Sequence, residues 1–155
     1  MSWSGTVPDP QNPALTIPDP GIVISTNKRH QRITTPTWAA GFALSEDFRA
    51  RFLEELAAII PERVFSQQQT TVLSVQHISE PELIEPGSWR VEFIAYLVTT
   101  SSRDRIGTPL AFNKEIFVRA VPPSLNPLPQ NASALQRTVT EIRRGLEIYQ
   151  IADLN

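Results

Sequence analysis

The chain has 155 residues and a formal net charge of −2, and it contains no cysteine. This length fits one domain, and the lack of cysteine excludes disulfides, thiolate metal sites and cysteine nucleophiles. The acidic balance argues against a nucleic-acid partner, and no apolar run reaches the roughly 18 residues of a membrane helix. We see no signal peptide, so we expect a cytoplasmic protein, or part of a particle assembled in the cytoplasm, without a membrane partner.

Proline is concentrated in the first 42 residues, which we predict to form an extended arm. The unit Thr-Val-Pro-Asp-Pro at 6–10 recurs as Thr-Ile-Pro-Asp-Pro at 16–20. By composition the arm resembles a disordered tail, but its large apolar side chains favour docking on a surface. A short strand at 21–25 is predicted to join a sheet edge. The candidate interaction residues of the arm are Trp3, Val7, Leu15, Ile17, Ile22, Val23 and Ile24.

The sequence N-K-R-H-Q-R at 27–32 is the densest basic cluster of the chain. It fits either a solvated turn or a contact with an anion. No aromatic residue is interleaved to stack on bases, which weakens a nucleic-acid interpretation. The candidate anion contacts are Lys28, Arg29 and Arg32.

A helix is predicted to begin after Ser45, which suits an N-cap because Glu46 and Asp47 follow in the first turn. Apolar residues then recur at helical spacing, and Pro61 ends the helix. A second helix is predicted from Ser133, with a clean apolar stripe. Its stripe consists of Leu135, Val139, Ile142, Leu146 and Tyr149.

In the stretch 87–100, apolar residues occupy every second position from Trp89 to Leu97, which predicts a central strand with one buried face. That face carries Trp89, Phe93 and Leu97, and we expect helices to cover it. Towards the end of the strand the other face also becomes apolar, so we expect the strand to enter a doubly covered centre. Further strands are predicted at 64–78 and 110–121 from their β-branched and apolar content.

Residues 43–155 are therefore predicted to form a single α+β domain. It would have two layers, with a three-stranded or slightly larger antiparallel meander packed by two helices in the order α-β-β-β-α. This order is loosely similar to that of small terminator and adaptor subunits of phage tails, which build rings and use extended arms. The likeness is one of architecture alone.

Two classes of function remain open. The first is a non-catalytic subunit of a homo-oligomeric ring or larger particle, whose arm docks on neighbouring copies or on other subunits. The second is a small-ligand-binding protein or enzyme with a polar pocket on the sheet face. Its candidate groups are His77, Arg90, Glu92, Tyr96 and Lys114. No motif predicts a catalytic, cofactor-binding or metal-binding residue, and we expect no cofactor.

Overall fold

The computed structural model describes residues 2–25, 31–122, 130, 137, 140–141 and 145–154. The protein is mostly β, with 48% strand and 22% helix, and its large sheet is curled. The predicted α+β fold with a small three-stranded meander packed by two helices is therefore wrong. The sheet has seven strands, and the two α-helices that the structure describes are short.

The element bounds follow the chain from the N-terminus. The strands are β1 (Ser2–Trp3), β2 (Thr6–Pro8), β3 (Thr16–Pro18), β4 (Ile22–Ser25), β5 (Gln31–Ile33), β6 (Gln69–Ile78), β7 (Glu82–Glu85), β8 (Ser88–Ser101), β9 (Thr108–Ala111), β10 (Lys114–Ala120) and β11 (Leu146–Asp153). The helices are α1 (Thr35–Ala40) and α2 (Glu46–Ile59). Short 3₁₀ turns lie at Gly41–Ala43 and Glu62–Val64.

The long strand β8 organises the main sheet. On one side it pairs with β6 and β7, and on the other with β9 and β10, always antiparallel. β1 extends the sheet beyond β6, and β11 extends it beyond β10. The two halves of β8 therefore pair with different strands. This pairing produces a seven-stranded sheet, which the patterns of the single strands did not predict.

The end of the predicted second helix is wrong, because the structure has the C-terminal strand β11 there. Leu146 and Tyr149, the last residues of the predicted stripe, lie in β11. Gly145 precedes this strand with φ of +84°, a left-handed conformation that favours glycine and breaks a helix. Most of the predicted helix, with Leu135, Val139 and Ile142, lies outside the described residues.

Helix α2 covers the face of the sheet that we call the inner face. Phe48, Phe52, Leu53 and Leu56 are buried on α2, and they share one hydrophobic cluster with Leu97 of β8. Phe93 contributes to the same face and lines a small apolar cavity below α2. The alternation in β8 therefore identified the buried face correctly where α2 lies over it.

The N-terminal arm is folded back, so its predicted extended course is wrong. Gly5 lies between β1 and β2 and Gly21 lies between β3 and β4, and both have positive φ, +67° and +69°. Between them, β2 pairs antiparallel with β3 in a hairpin. The two copies of the repeated unit thus pair with each other, with Val7 opposite Ile17.

Asp19 fastens this hairpin to the rest of the chain. Its side chain is only 2% exposed. The carboxylate accepts hydrogen bonds from the backbone N–H groups of Gly21 and Thr35, at 2.9 and 2.8 Å, and from the Thr35 hydroxyl at 2.6 Å. Thr35 is the first residue of α1, so Asp19 joins the hairpin to the start of that helix.

Candidate interaction surface

The candidate residues of the arm divide into a buried group and an exposed group. Trp3 is 1% exposed, and its indole N–H donates to the Thr37 hydroxyl at 3.0 Å. Ile22 and Ile24 are half-buried and pack against the core cluster. Val7 is half-buried in the hairpin. The exposed members are Leu15, Ile17 and Val23. The predicted strand at 21–25 is present as β4, which pairs with β5 and not with the main sheet.

Of the candidate anion contacts, Arg32 is already engaged within the chain. Its guanidinium forms an ion pair with Glu62, donates to the carbonyl of Pro20 at 3.1 Å and stacks over the ring of Phe65 at 4.2 Å. Lys28 and Arg29 lie outside the described residues. The anion contact at this cluster therefore stays a prediction without support from Arg32.

The polar candidates on the sheet do not converge. Register places His77 beside Ile94, on the outer face with Tyr96, whereas Lys114 lies beside Phe93 on the inner face. Lys114 forms an ion pair with Asp153. Separation by the sheet prevents Lys114 from acting on a ligand bound near His77.

Arg90 is also held by its neighbours on the outer face. It donates to Glu82 at 3.1 Å and to Glu115 at 3.2 Å. The hydrogen bond that Arg90 donates to Glu82, together with the charges of the nearby carboxylates, raises the pKa of Arg90 above its usual range. This network stabilises one end of the outer face and leaves Arg90 with little capacity to bind a substrate.

Within the ranges that the structure describes, no group of three or more histidine, aspartate or glutamate side chains is placed to hold a metal ion. In the same ranges, no helix has both the length and the apolar character needed to cross a membrane.

One helix cannot cover a strand as long as β8. The fourteen residues of β8 span about 46 Å, whereas the fourteen residues of α2 span about 21 Å. Beyond α2, the inner face continues as an apolar groove of about 350 Å³. Its described lining residues are Pro81, Trp89, Val91, Val118 and Leu146. Trp89 therefore points to the predicted face, but away from the part that α2 covers.

The outer face carries a second apolar area, which follows from the strand register. Val98 of β8 lies between Val72 of β6 and Pro109 of β9, and Tyr96 lies beside Ala111. Val72 is 45% exposed and Tyr96 is 42% exposed. We call this uncharged area the outer patch, and it consists of Val72, Ile94, Tyr96, Val98, Pro109 and Ala111.

The outer patch corrects one further expectation. The apolar character of Ile94, Tyr96 and Val98 led us to expect a doubly covered centre. Their side chains do lie at the centre of the sheet, but the exposure of Tyr96 shows that no described element covers it. An outer face of an antiparallel sheet in water is ordinarily polar. The apolar residues on this face therefore did indicate an unusual surface.

Comparison with known proteins adds no relative: no family model, no curated protein and no solved structure matches this chain.

Proposed function

We propose that this protein is a non-catalytic subunit of a homo-oligomeric assembly, and that copies of the chain meet through the outer patch. The observation that supports the proposal is the exposure of uncharged apolar side chains at the centre of the sheet. Exposed apolar patches of this kind mark surfaces that bind another molecule. A surface beside the charged network of Arg90 also has the arrangement of an interface, with an apolar centre and a polar margin.

The expected gain from burying the patch is considerable. A tyrosine side chain presents roughly 200 Å² of surface, and Tyr96 is 42% exposed. At about 25 cal/mol per Å², burial of the remaining Tyr96 surface contributes about 2 kcal/mol for each copy. Val72 adds to this because it is 45% exposed in the neighbouring strand.

A second copy of the chain is a suitable partner because the outer patch carries no charged side chain. In a two-fold contact the same surface is presented by both partners, so a charged side chain near the axis meets its own equivalent. No member of the outer patch is charged, and the patch therefore meets itself without repulsion. A sheet can pack on a sheet at about 10 Å with apolar side chains interdigitating between them.

The patch serves as the centre of a larger interface. A stable interface buries about 800 Å² on each partner, which is more than six side chains supply. The exposed arm residues Leu15, Ile17 and Val23 offer additional apolar surface for contact with neighbours. The earlier likeness to phage-tail subunits rested on an element order that the fold contradicts, so it supports neither a ring nor a particle.

The proposal is tested by the mass of the full chain in solution. Tyr96→Glu puts a charge at the centre of the outer patch, where burial against its own copy is unfavourable. Sedimentation velocity over a range of concentrations should show an oligomer for the unchanged protein. For Tyr96→Glu the association should weaken by at least about tenfold.

Ile106→Glu is the matched control, because Ile106 is 92% exposed on a loop outside the patch. This variant should assemble like the unchanged protein. Circular dichroism and thermal unfolding establish that both variants are folded. A protein that stays monomeric at all concentrations contradicts the proposal. A folded Tyr96→Glu variant that assembles as well as the Ile106→Glu variant contradicts it too.

A further inference from the structure

A polar depression of about 520 Å³ lies at the end of the sheet where β6 begins and β8 finishes. One wall comes from the turn that leads into β6, and the other from the loop that follows β8. Its described lining residues are Arg63, Gln67, Gln68, Gln69, Ser101, Ser102 and Arg103. Arginine, amide and hydroxyl groups all offer hydrogen-bond donors, and no acidic residue is among them.

The first wall is built by an unusual helix end. Gln67 N–H donates to the carbonyl of Val64, and Gln68 N–H donates to that of Arg63, each at 3.0 Å. These are the two hydrogen bonds of a Schellman motif, whose left-handed position is ordinarily glycine. Gln67 occupies it with φ of +59°, a conformation that costs an L-residue free energy because its Cβ approaches the following carbonyl oxygen. The chain tolerates this cost at a position whose side chain lines the depression.

The second wall is held by the loop after β8. Ser101 N–H donates to the carbonyl of Asp104 at 2.8 Å, and Asp104 N–H donates to the Ser101 hydroxyl oxygen at 3.1 Å. The Asp104 carboxylate accepts from Gly107 N–H at 2.9 Å. The loop thus uses its one carboxylate for its own turn, and among the described residues no carboxylate pairs with Arg103.

The two arginines differ from most of those in the rest of the described chain. Arg32, Arg51, Arg90 and Arg119 each form an ion pair with a glutamate. Arg63 and Arg103 form none with any residue that the structure describes, although they line the same depression. Two guanidinium groups that line one concave site and pair with no described carboxylate favour an anion.

We propose that this depression binds a small molecule through a phosphate group. Guanidinium forks match the paired oxygens of phosphate, and two of them balance the two negative charges of a phosphate monoester. The glutamine amides and serine hydroxyls donate to further oxygens. The volume falls in the range of about 300–1,000 Å³ that small-molecule sites occupy, which leaves room for an organic group attached to the phosphate.

The test uses the full chain and two probes, inorganic phosphate and a nucleoside monophosphate. Binding is followed by isothermal titration and by the phosphate-dependent rise of the melting temperature, at constant ionic strength set with chloride. Arg63→Gln and Arg103→Gln should each weaken binding by about tenfold or more, since each removes a charge-assisted pair. Stronger binding of the nucleotide indicates an organic phosphate as the ligand, and equal binding indicates free phosphate.

Arg105→Gln is the matched control, because it removes the same charge two residues from Arg103 and does not line the depression. It should bind both probes as the unchanged protein does. The proposal is overturned if neither probe binds in excess of chloride. It is also overturned if Arg105→Gln weakens binding as much as Arg103→Gln, since that result shows attraction by net charge alone.

Discussion

The two aspartates of the repeated unit provide a sharp test of how the arm is attached. Asp9 and Asp19 occupy the same position of the unit, but their surroundings differ. Asp19 is 2% exposed and accepts three hydrogen bonds from Gly21 and Thr35. Asp9 accepts one hydrogen bond, from Gln11 N–H at 2.8 Å, in an exposed turn. We therefore expect the same substitution to have very different effects at the two sites.

The expected loss for Asp19→Ala follows from these contacts. A hydrogen bond to a charged acceptor contributes about 1.5 kcal/mol at the low end of its range, so three contribute about 4–5 kcal/mol. The substitution also leaves the backbone N–H groups of Gly21 and Thr35, which are partly buried, without their acceptor. For a chain of this length, about 2–4 °C of melting temperature is lost for each kcal/mol, which gives a fall of about 8–20 °C.

Asp9→Ala is the internal control, with an expected loss of about 1 kcal/mol or less. Urea titration followed by circular dichroism gives the free energy of unfolding for both variants. Equal losses for Asp9→Ala and Asp19→Ala would mean that Asp19 does not connect the hairpin to α1.

Two more pairs of substitutions test the packing of the arm. Trp3→Ala should lower the free energy of unfolding by about 3–5 kcal/mol, since it removes a buried aromatic side chain, whereas Leu15→Ala at an exposed site should cost under about 1 kcal/mol. Gly5→Ala should cost more than Gly87→Ala. Both glycines have positive φ, but a Cβ at Gly5 would lie 2.0 Å from the carbonyl oxygen of Val64, whereas at Gly87 the nearest atom lies at 3.8 Å. Urea titration measures all four variants, and equal costs within either pair would contradict the packing described above.

Local patterns predicted the elements whose signal is contained in their own residues. The helical spacing after Ser45 corresponds to α2, and the alternation at 87–100 corresponds to β8. One face of each of these two elements is buried. The spacing of the apolar residues therefore has the period of the helix or of the strand. The strand predicted at 110–121 is divided into β9 and β10 around Phe112 and Asn113.

The parts that sequence reasoning missed depend on contacts between distant residues. Nothing local in Trp3 shows that it packs 34 residues away against Thr37. The repeat at 6–10 and 16–20 is visible in the sequence. Its proline content predicts an extended arm, whereas the two copies pair with each other. Such pairings are decided by tertiary packing, which overrides local preference.

Two local signals in the sequence mark features that the predicted elements omit. Gly145 interrupts the apolar stripe that suggested a helix as far as Tyr149, and it marks the start of β11. Pro36 lies in the first turn of α1, where proline is favoured, and not in an extended arm. The outer patch was detectable as apolar residues on both faces of β8, but its exposure required the structure.

Protection of the outer patch by a second copy is measured most directly with a thiol placed in the patch. The chain has no cysteine, so a thiol introduced by Ala111→Cys in the patch is the one reactive thiol. Ala58→Cys on the exposed side of α2 is the matched control. Maleimide labelling of the Ala111→Cys protein should become slower as protein concentration rises, while labelling of the Ala58→Cys protein stays constant. Equal labelling rates for the two proteins at every concentration would contradict self-association through this face.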